Sequence, residues 1–121
     1  MTSRVAIVDD DASVRKALAR LIAACSFKPQ TYGSAREFLD SLPLGLPDCL
    51  VVDLQMPEMT GLDLQRQLAR TGVKIPTIVI TAHNEPGFRQ RCESAGVVAY
   101  LLKPLSENTL IAAINTATRR A

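Results

Sequence analysis

Four short apolar runs, over residues 5–8, 49–52, 75–80 and 97–102, constrain this chain more than any other feature. They are rich in valine and isoleucine and do not alternate with polar residues. A strand that faces water on one side alternates, so these read as strands buried on both faces, as in a parallel sheet covered by helices. A shorter, half-polar segment over 28–32 fits the edge of the same sheet.

Between the runs the apolar period lengthens to that of helices. Val14, Ala17, Leu18, Leu21, Ile22 and Cys25 fall on one helical face. Ser34 with Glu37 three residues on is a capping-box start, followed by Phe38 and Leu39 and stopped by Pro43. Leu62, Leu64, Leu68 and Ala69 mark a third helix that ends at Gly72. A fourth spans about 86–95, with Gly96 as its stop, and Ser106 caps a fifth that carries Leu110, Ile111 and Ile114. Five β-α units with short connections predict an α/β fold: a doubly wound, five-stranded parallel sheet with five helices, flavodoxin-like, in strand order 2-1-3-4-5. An eight-fold barrel needs about twice this length. No linker, repeat or low-complexity segment interrupts residues 1–121, which read as a single domain.

Composition narrows the function classes. The 14 basic and 12 acidic residues are interspersed and leave a net charge of +2, which argues against direct nucleic-acid binding. No apolar run approaches the roughly 20 residues of a membrane span, and charges sit near the start, so neither a transmembrane helix nor a signal peptide is read. Cys25, Cys49 and Cys92 are odd in number, far apart and without CxxC spacing. They read as small buried hydrophobes in a reducing, cytoplasmic setting rather than as disulfides or a zinc site.

Ligands of such sheets bind at the carboxyl ends of the strands. Strand one ends in Asp9-Asp10 with Asp11 next, strand three in Asp53, strand four in Thr81, and strand five runs into Lys103-Pro104. Separate segments thus deliver carboxylates, a hydroxyl and an ammonium to one edge. Clustered carboxylates either raise one another's pKa or hold a cation, and hard oxygen donors suit Mg2+ or Ca2+ rather than zinc. Magnesium takes one or two carboxylates and completes its shell with water and phosphate oxygens, so the pocket suits a phosphoryl group, with Lys103 as a second positive charge. Asp53 is the natural nucleophile, because a carboxylate can form an acyl phosphate. Singly, each residue also has an ordinary reading: Asp11 as a helix cap, Lys103 as a surface charge, Thr81 as a turn hydroxyl.

The segments VAIVDDD (5–11), VVDLQMPEMTG (51–61), IVITA (78–82) and YLLKP (100–104) resemble, in order and spacing, the receiver domain of two-component response regulators, the CheY-like family. The pattern is closest to receivers of the nitrogen-fixation regulator type, whose outputs are helix-turn-helix domains. The resemblance implies that Asp53 is the phosphoacceptor for a sensor histidine kinase or phosphotransfer protein. It implies Mg2+ held directly by Asp10 and Asp53, through water by Asp9, and by the backbone carbonyl of Gln55. Lys103 would pair with the acyl phosphate, Pro104 would follow a cis bond, and Thr81 would hydrogen-bond a phosphoryl oxygen. Tyr100 matches the family's switch aromatic, which turns inward as the threonine moves toward phosphate; plain packing is its other reading. Ala82 leaves room for the phosphodonor. The helix 4–strand 5–helix 5 face would then change and control an output domain or partner protein, with a phosphorylation-dependent homodimer as one form of that control. Such a chain is no enzyme beyond catalysing its own phosphorylation and dephosphorylation.

Gln55 and His83 flank the expected phosphoryl site and would modulate its lifetime, unless His83 simply faces solvent. Leu105 stands where many relatives carry an aromatic. Gly87, placed in the first turn of the fourth helix, would weaken that helix and leave it mobile. A flavodoxin-like electron carrier wants a glycine- and hydroxyl-rich loop where this chain has three aspartates. An aspartate-nucleophile phosphatase wants a second aspartate where Gln55 stands. A degenerate receiver that only docks partners is the remaining alternative. The fold consumes residues 4–120, which predicts either a stand-alone receiver or the amino-terminal part of a longer regulator.

Overall fold

The apolar segments pair as five parallel strands of one sheet, in the order β2-β1-β3-β4-β5. The structure, a computed structural model, describes residues 3–82 and 86–119. In chain order the elements are β1 (Arg4–Val8), α1 (Ala12–Ala24), β2 (Lys28–Tyr32), α2 (Ala35–Ser41), a 3-10 turn (Leu42–Leu44), β3 (Cys49–Asp53), α3 (Gly61–Arg70), β4 (Thr77–Thr81), α4 (Phe88–Ser94), β5 (Ala99–Leu102) and α5 (Glu107–Thr118). No described helix is long and apolar enough to cross a membrane.

Strand pleating explains why the runs do not alternate. Side chains of successive residues point to opposite faces, and here both faces are covered. Ala6, Val8, Leu50, Val52, Val79 and Tyr100 join Phe38 of α2, Leu64 and Leu68 of α3 and Cys92 of α4 in one core. Val5, Ile7, Cys49, Val51, Ile78 and Ile80 face the other way, onto Leu18 and Ile22 of α1 and Leu110 and Ile114 of α5. Each fully buried Val, Leu or Ile side chain contributes about 1.5–3 kcal/mol. β3 and β4 are buried at every residue, whereas β2 at the sheet edge is buried at none.

The helix starts follow from local chemistry. Asp11 caps α1, its carboxylate accepting from the Ser13 and Val14 N–H groups. Ser34 caps α2 by accepting from Glu37 N–H, but Glu37 reaches back one residue further than a capping box requires and accepts from Gly33 N–H at 2.6 Å. The complete box belongs to α3, where Thr60 and Asp63 each accept from the other's N–H.

The main boundary differences from the sequence reading lie in β4, β5 and α4. β4 starts at Thr77 rather than residue 75, because Pro76 has no N–H to give the ladder; its carbonyl still accepts from Leu50 N–H at 2.9 Å. β5 starts at Ala99 rather than 97, because residues 96–97 close α4, with Val97 N–H donating to the Cys92 carbonyl. α4 is shorter at both ends, and Gly87 is its N-cap with φ +85°, a left-handed conformation that glycine adopts without strain. The glycine therefore stands before the first turn and not in it. On α1 and α3, Ala17 and Ala69 face solvent instead of the core.

Candidate functional site

Register carries the functional side chains to one edge. Val8 pairs with Val52, Asp53 with Ile80, and Thr81 with Leu102. Asp9 therefore leaves β1 level with Asp53, Thr81 follows one row on, and Lys103 leaves β5 one row beyond Thr81. A carboxylate oxygen from each of Asp9, Asp10 and Asp53 lies within 4.8 Å of the others. Asp9 is fully buried, Asp53 is 6% exposed, and Asp10 faces solvent.

Lys103 bridges two of the three acids. Its Nζ is 3.1 Å from Asp9 Oδ2 and 3.3 Å from Asp53 Oδ2. The other oxygens are held by backbone: Asp11 N–H donates to Asp9 Oδ1 at 2.9 Å, and Gln55 N–H to Asp53 Oδ1 at 3.1 Å. Arg15 donates to the Asp9 carbonyl at 2.7 Å, which anchors α1 beneath the site. The Lys103–Pro104 peptide is cis.

Burial, with the charge of Asp9 beside it, holds the Asp53 carboxyl above its ordinary value, although Gln55 N–H and Lys103 pull the other way. Burial also works against the charge on Lys103, but the hydrogen bond it donates to Asp9 and the charges of both aspartates outweigh it, and the ammonium is held above its ordinary value. The site is thus a desolvated carboxylate whose charge is carried by one lysine.

The start of α3 fixes the chain around Asp53. Gly61 N–H donates to the Leu54 carbonyl at 3.0 Å, and a Cβ at position 61 would stand 2.7 Å from the Asp53 carbonyl oxygen. Only a residue without a side chain permits that approach. Sequence reasoning missed Gly61; its one signal was the Thr-Gly pair that opens the Thr60–Asp63 box.

Thr81 is fully buried, and Tyr100 is 6% exposed. Val79 pairs with Tyr100, so Thr81, two residues after Val79, points to the same face of the sheet as Tyr100. The ring is therefore buried on the Thr81 side of the sheet. Arg89 of α4 lies over it, with Cζ 4.9 Å from the ring centroid, a contact the sequence reading did not anticipate. Gln55 is half-buried beside Asp53, Ala82 is exposed at the end of β4, and Pro104 is exposed beyond Lys103. His83 lies outside the described residues.

Acids from two strand ends, a lysine from a third and a hydroxyl from a fourth, on a sheet of this order, define a small α/β domain whose chemistry sits at the carboxyl edge. The family model of the response regulator receiver domain matches residues 5–115, and the chain belongs to that family. It is 38% identical to the transcriptional regulatory protein FixJ of Rhizobium meliloti over 94% of this chain and 56% of that one. It is likewise 38% identical to the response regulator protein TmoT of Ectopseudomonas mendocina, over 98% of this chain and 54% of that one. Among solved structures, the crystal structure of FixJ-N superimposes with a TM-score of 0.91 at 36% identity, covering 100% of this chain and 97% of the other. A response regulator receiver protein from Burkholderia phymatum gives 0.87 at 41% identity, covering 99% and 98%. The chain spans about half the length of the curated relatives it matches.

Proposed function

We propose that this domain is a phosphorylation-activated switch of a two-component system, with Asp53 as the phosphoacceptor and residues 1–121 acting as one receiver unit. The observation that carries the reading is Lys103 bridging buried Asp9 and Asp53, with the Asp10 carboxylate within 4.8 Å of both acids. A lysine and an all-oxygen acidic set around one carboxylate suit the transfer of a dianionic group, which depends on positioning and charge neutralisation more than on other covalent help.

In the proposed reaction Asp53 attacks the phosphorus of a phosphohistidine on a sensor histidine kinase or phosphotransfer protein. An oxygen–phosphorus bond forms as the nitrogen–phosphorus bond breaks. The electron pair leaves with the imidazole, which is then protonated by solvent. Lys103 exchanges its contact with Asp53 for one with the phosphoryl group, and Thr81 donates its hydroxyl to a phosphoryl oxygen. The hard donor set fits Mg2+, which Asp10, Asp53 and the Gln55 carbonyl would hold directly and Asp9 would hold through water. When bound, the ion supplies charge neutralisation to the transferring group. Ala82 leaves the donor room to approach, Pro104 directs the lysine, and Gln55 and His83 shape access for the water that later hydrolyses the acyl phosphate. The added charge, close to two units, draws Thr81 and the β4 end toward it. Tyr100 then holds the α4–β5–α5 face in the form that an output domain, partner protein or second copy recognises. The domain would act in the cytoplasm and catalyse nothing beyond its own phosphorylation and dephosphorylation.

Incubation with acetyl phosphate and Mg2+, followed by intact mass measurement, tests this. The expected result is one phosphate adduct that is absent in Asp53→Asn and absent without Mg2+. An adduct that persists in Asp53→Asn would move the acceptor elsewhere. No adduct under any condition would leave a domain that only docks partners.

A further inference from the structure

Helix α4 is lightly attached to the sheet. It buries Cys92 and packs the half-buried Phe88 against the same core, and its N-cap Gly87 offers no side-chain hydrogen bond. Among the described residues, Gln65 and Arg89 add side-chain ties to that packing. Gln65 of α3 donates through Nε2 to the Ala95 carbonyl at 3.2 Å, at the helix end. At the other end Arg89 lies over Tyr100. Arg91, by contrast, stacks on Phe88 within the same helix.

Arg89 has no carboxylate partner among the described residues; Glu93, one turn on, forms no ion pair with it. Its guanidinium is therefore committed to the face of the tyrosine ring, an attraction that strengthens as the ring is held away from water. Arg89, Cys92, Glu93 and Val97 to Tyr100 enclose a crevice of about 100 Å³ between α4 and β5. With the guanidinium over it, the ring is nine-tenths buried.

We propose that Arg89 is a positioning residue that latches Tyr100 in its inward orientation and so couples the ring's state to the placement of α4. The functional half of this proposal rests on the phosphoswitch reading of Asp53. Arg89 contributes binding energy only to the inward state, so its removal shifts the two-state equilibrium outward by that energy and no more. For an exposed cation over an aromatic ring, the shift is about two- to fivefold in the outward-to-inward ratio. Phosphorylation biases the same equilibrium through Thr81, on the same sheet face, and would offset the loss.

The chain contains two tyrosines and no tryptophan, so fluorotyrosine labelling yields two resonances, and Tyr32→Phe assigns the one from Tyr100. In the unphosphorylated protein, Arg89→Gln is expected to move the Tyr100 resonance toward that of solvent-exposed fluorotyrosine, with the two- to fivefold change in ratio. Arg89→Lys, which keeps the cation, is expected to recover most of the wild-type position. An unchanged resonance in Arg89→Gln, or equal behaviour of the Lys and Gln variants, would overturn the latch. Acetyl phosphate and Mg2+ are then added, with intact mass as the control. A phosphorylated Arg89→Gln protein whose resonance returns inward supports the coupling, and one whose resonance stays outward overturns it. If the wild type takes up no phosphate, the reading of Asp53 fails, and the unphosphorylated spectra alone decide for or against Arg89.

Discussion

Replacing Gly61 with alanine sets two effects of opposite sign against each other. Gly61 is the first residue of α3 and has no left-handed φ, so helix propensity alone favours alanine by up to about 1 kcal/mol. The added Cβ, however, would stand 2.7 Å from the Asp53 carbonyl oxygen, 3.1 Å from Leu54 Cα and 3.2 Å from the Asp53 carbonyl carbon. All three are main-chain atoms, and Leu54 N–H is tied to the Ile80 carbonyl at 2.7 Å, so no rotamer change relieves the contact. Ordinary contact begins near 3.4 Å, which means the chain must open by about 0.7 Å. Overpacking of this kind costs about 1–3 kcal/mol, which outweighs the propensity gain. The net expectation is a loss of about 1–2 kcal/mol, or roughly 4–8 °C in Tm for a domain of this size. Urea and thermal unfolding should be run beside Gly33→Ala. There the new Cβ meets the ends of the Glu37 and Arg15 side chains at 3.2 and 3.4 Å, which can swing aside. That control should stay within about 0.5 kcal/mol of the parent. Gly61→Ala should also take up phosphate more slowly while still folded, because it displaces the backbone that carries Asp53. A Gly61→Ala protein as stable as its parent would refute the close approach, and with it the account of how α3 positions Asp53.

Three further outcomes are expected. Lys103→Met leaves the Asp9 and Asp53 carboxylates facing each other without their cation and should cost about 1–3 kcal/mol in urea unfolding, partly restored by millimolar Mg2+; unchanged stability would mean the bridge carries no weight. Because burial holds the Asp53 carboxyl above its ordinary 3.8, the folded state keeps that proton to higher pH than the unfolded chain does. Stability should therefore fall as pH rises through the interval above 3.8, and Asp53→Asn should lack that component and be the more stable protein at neutral pH. Lys103 behaves in the opposite sense: its contribution is complete below 10.5 and is lost as pH rises through its raised folded value. A thiol reagent should label Cys25 first in the native protein, since Cys25 is half-buried while burial raises Cys92 and pushes Cys49 up to about 12. Equal labelling of all three thiols under native conditions would contradict the burial.

The sheet was legible because burial on both faces leaves an unbroken apolar signature, and a parallel sheet is the common way to bury a short strand twice. Once the sheet is parallel, every strand ends on the same edge, so the company of Asp9, Asp53, Thr81 and Lys103 also followed from order alone. Boundaries were less legible where one residue belongs to two patterns. Ile75 packs in the core yet precedes Pro76, which cannot enter the ladder, and Val97 is apolar yet serves to close α4. Contacts between elements were not legible at all. Gly61 owes its identity to a backbone atom eight residues earlier on β3, and Arg89 meets a ring eleven residues later on β5. Each contact joins two different elements, so no period within one helix or strand announces it.

These two contacts flank β4, one at the end of β3 and the other on β5. Gly61 fixes the strand end that carries Asp53 by backbone contact, which resists displacement steeply. Arg89 holds the Tyr100 side of α4 by a single weak attraction, which can be overcome at a cost of roughly 1 kcal/mol. A switch needs that asymmetry: a rigid acceptor, so that charge appears at a defined point, beside an element held loosely enough for that charge to move it. Stiffening α4, for example by raising its helix propensity with Ser94→Ala, should therefore narrow the difference between the unphosphorylated and phosphorylated forms in amide exchange along α4, while leaving phosphate uptake at Asp53 unchanged. Ser94 is exposed, so the substitution removes no core contact. If the variant's α4 still exchanged as differently between the two forms as the wild type's, loose attachment of α4 would not be what makes the domain responsive.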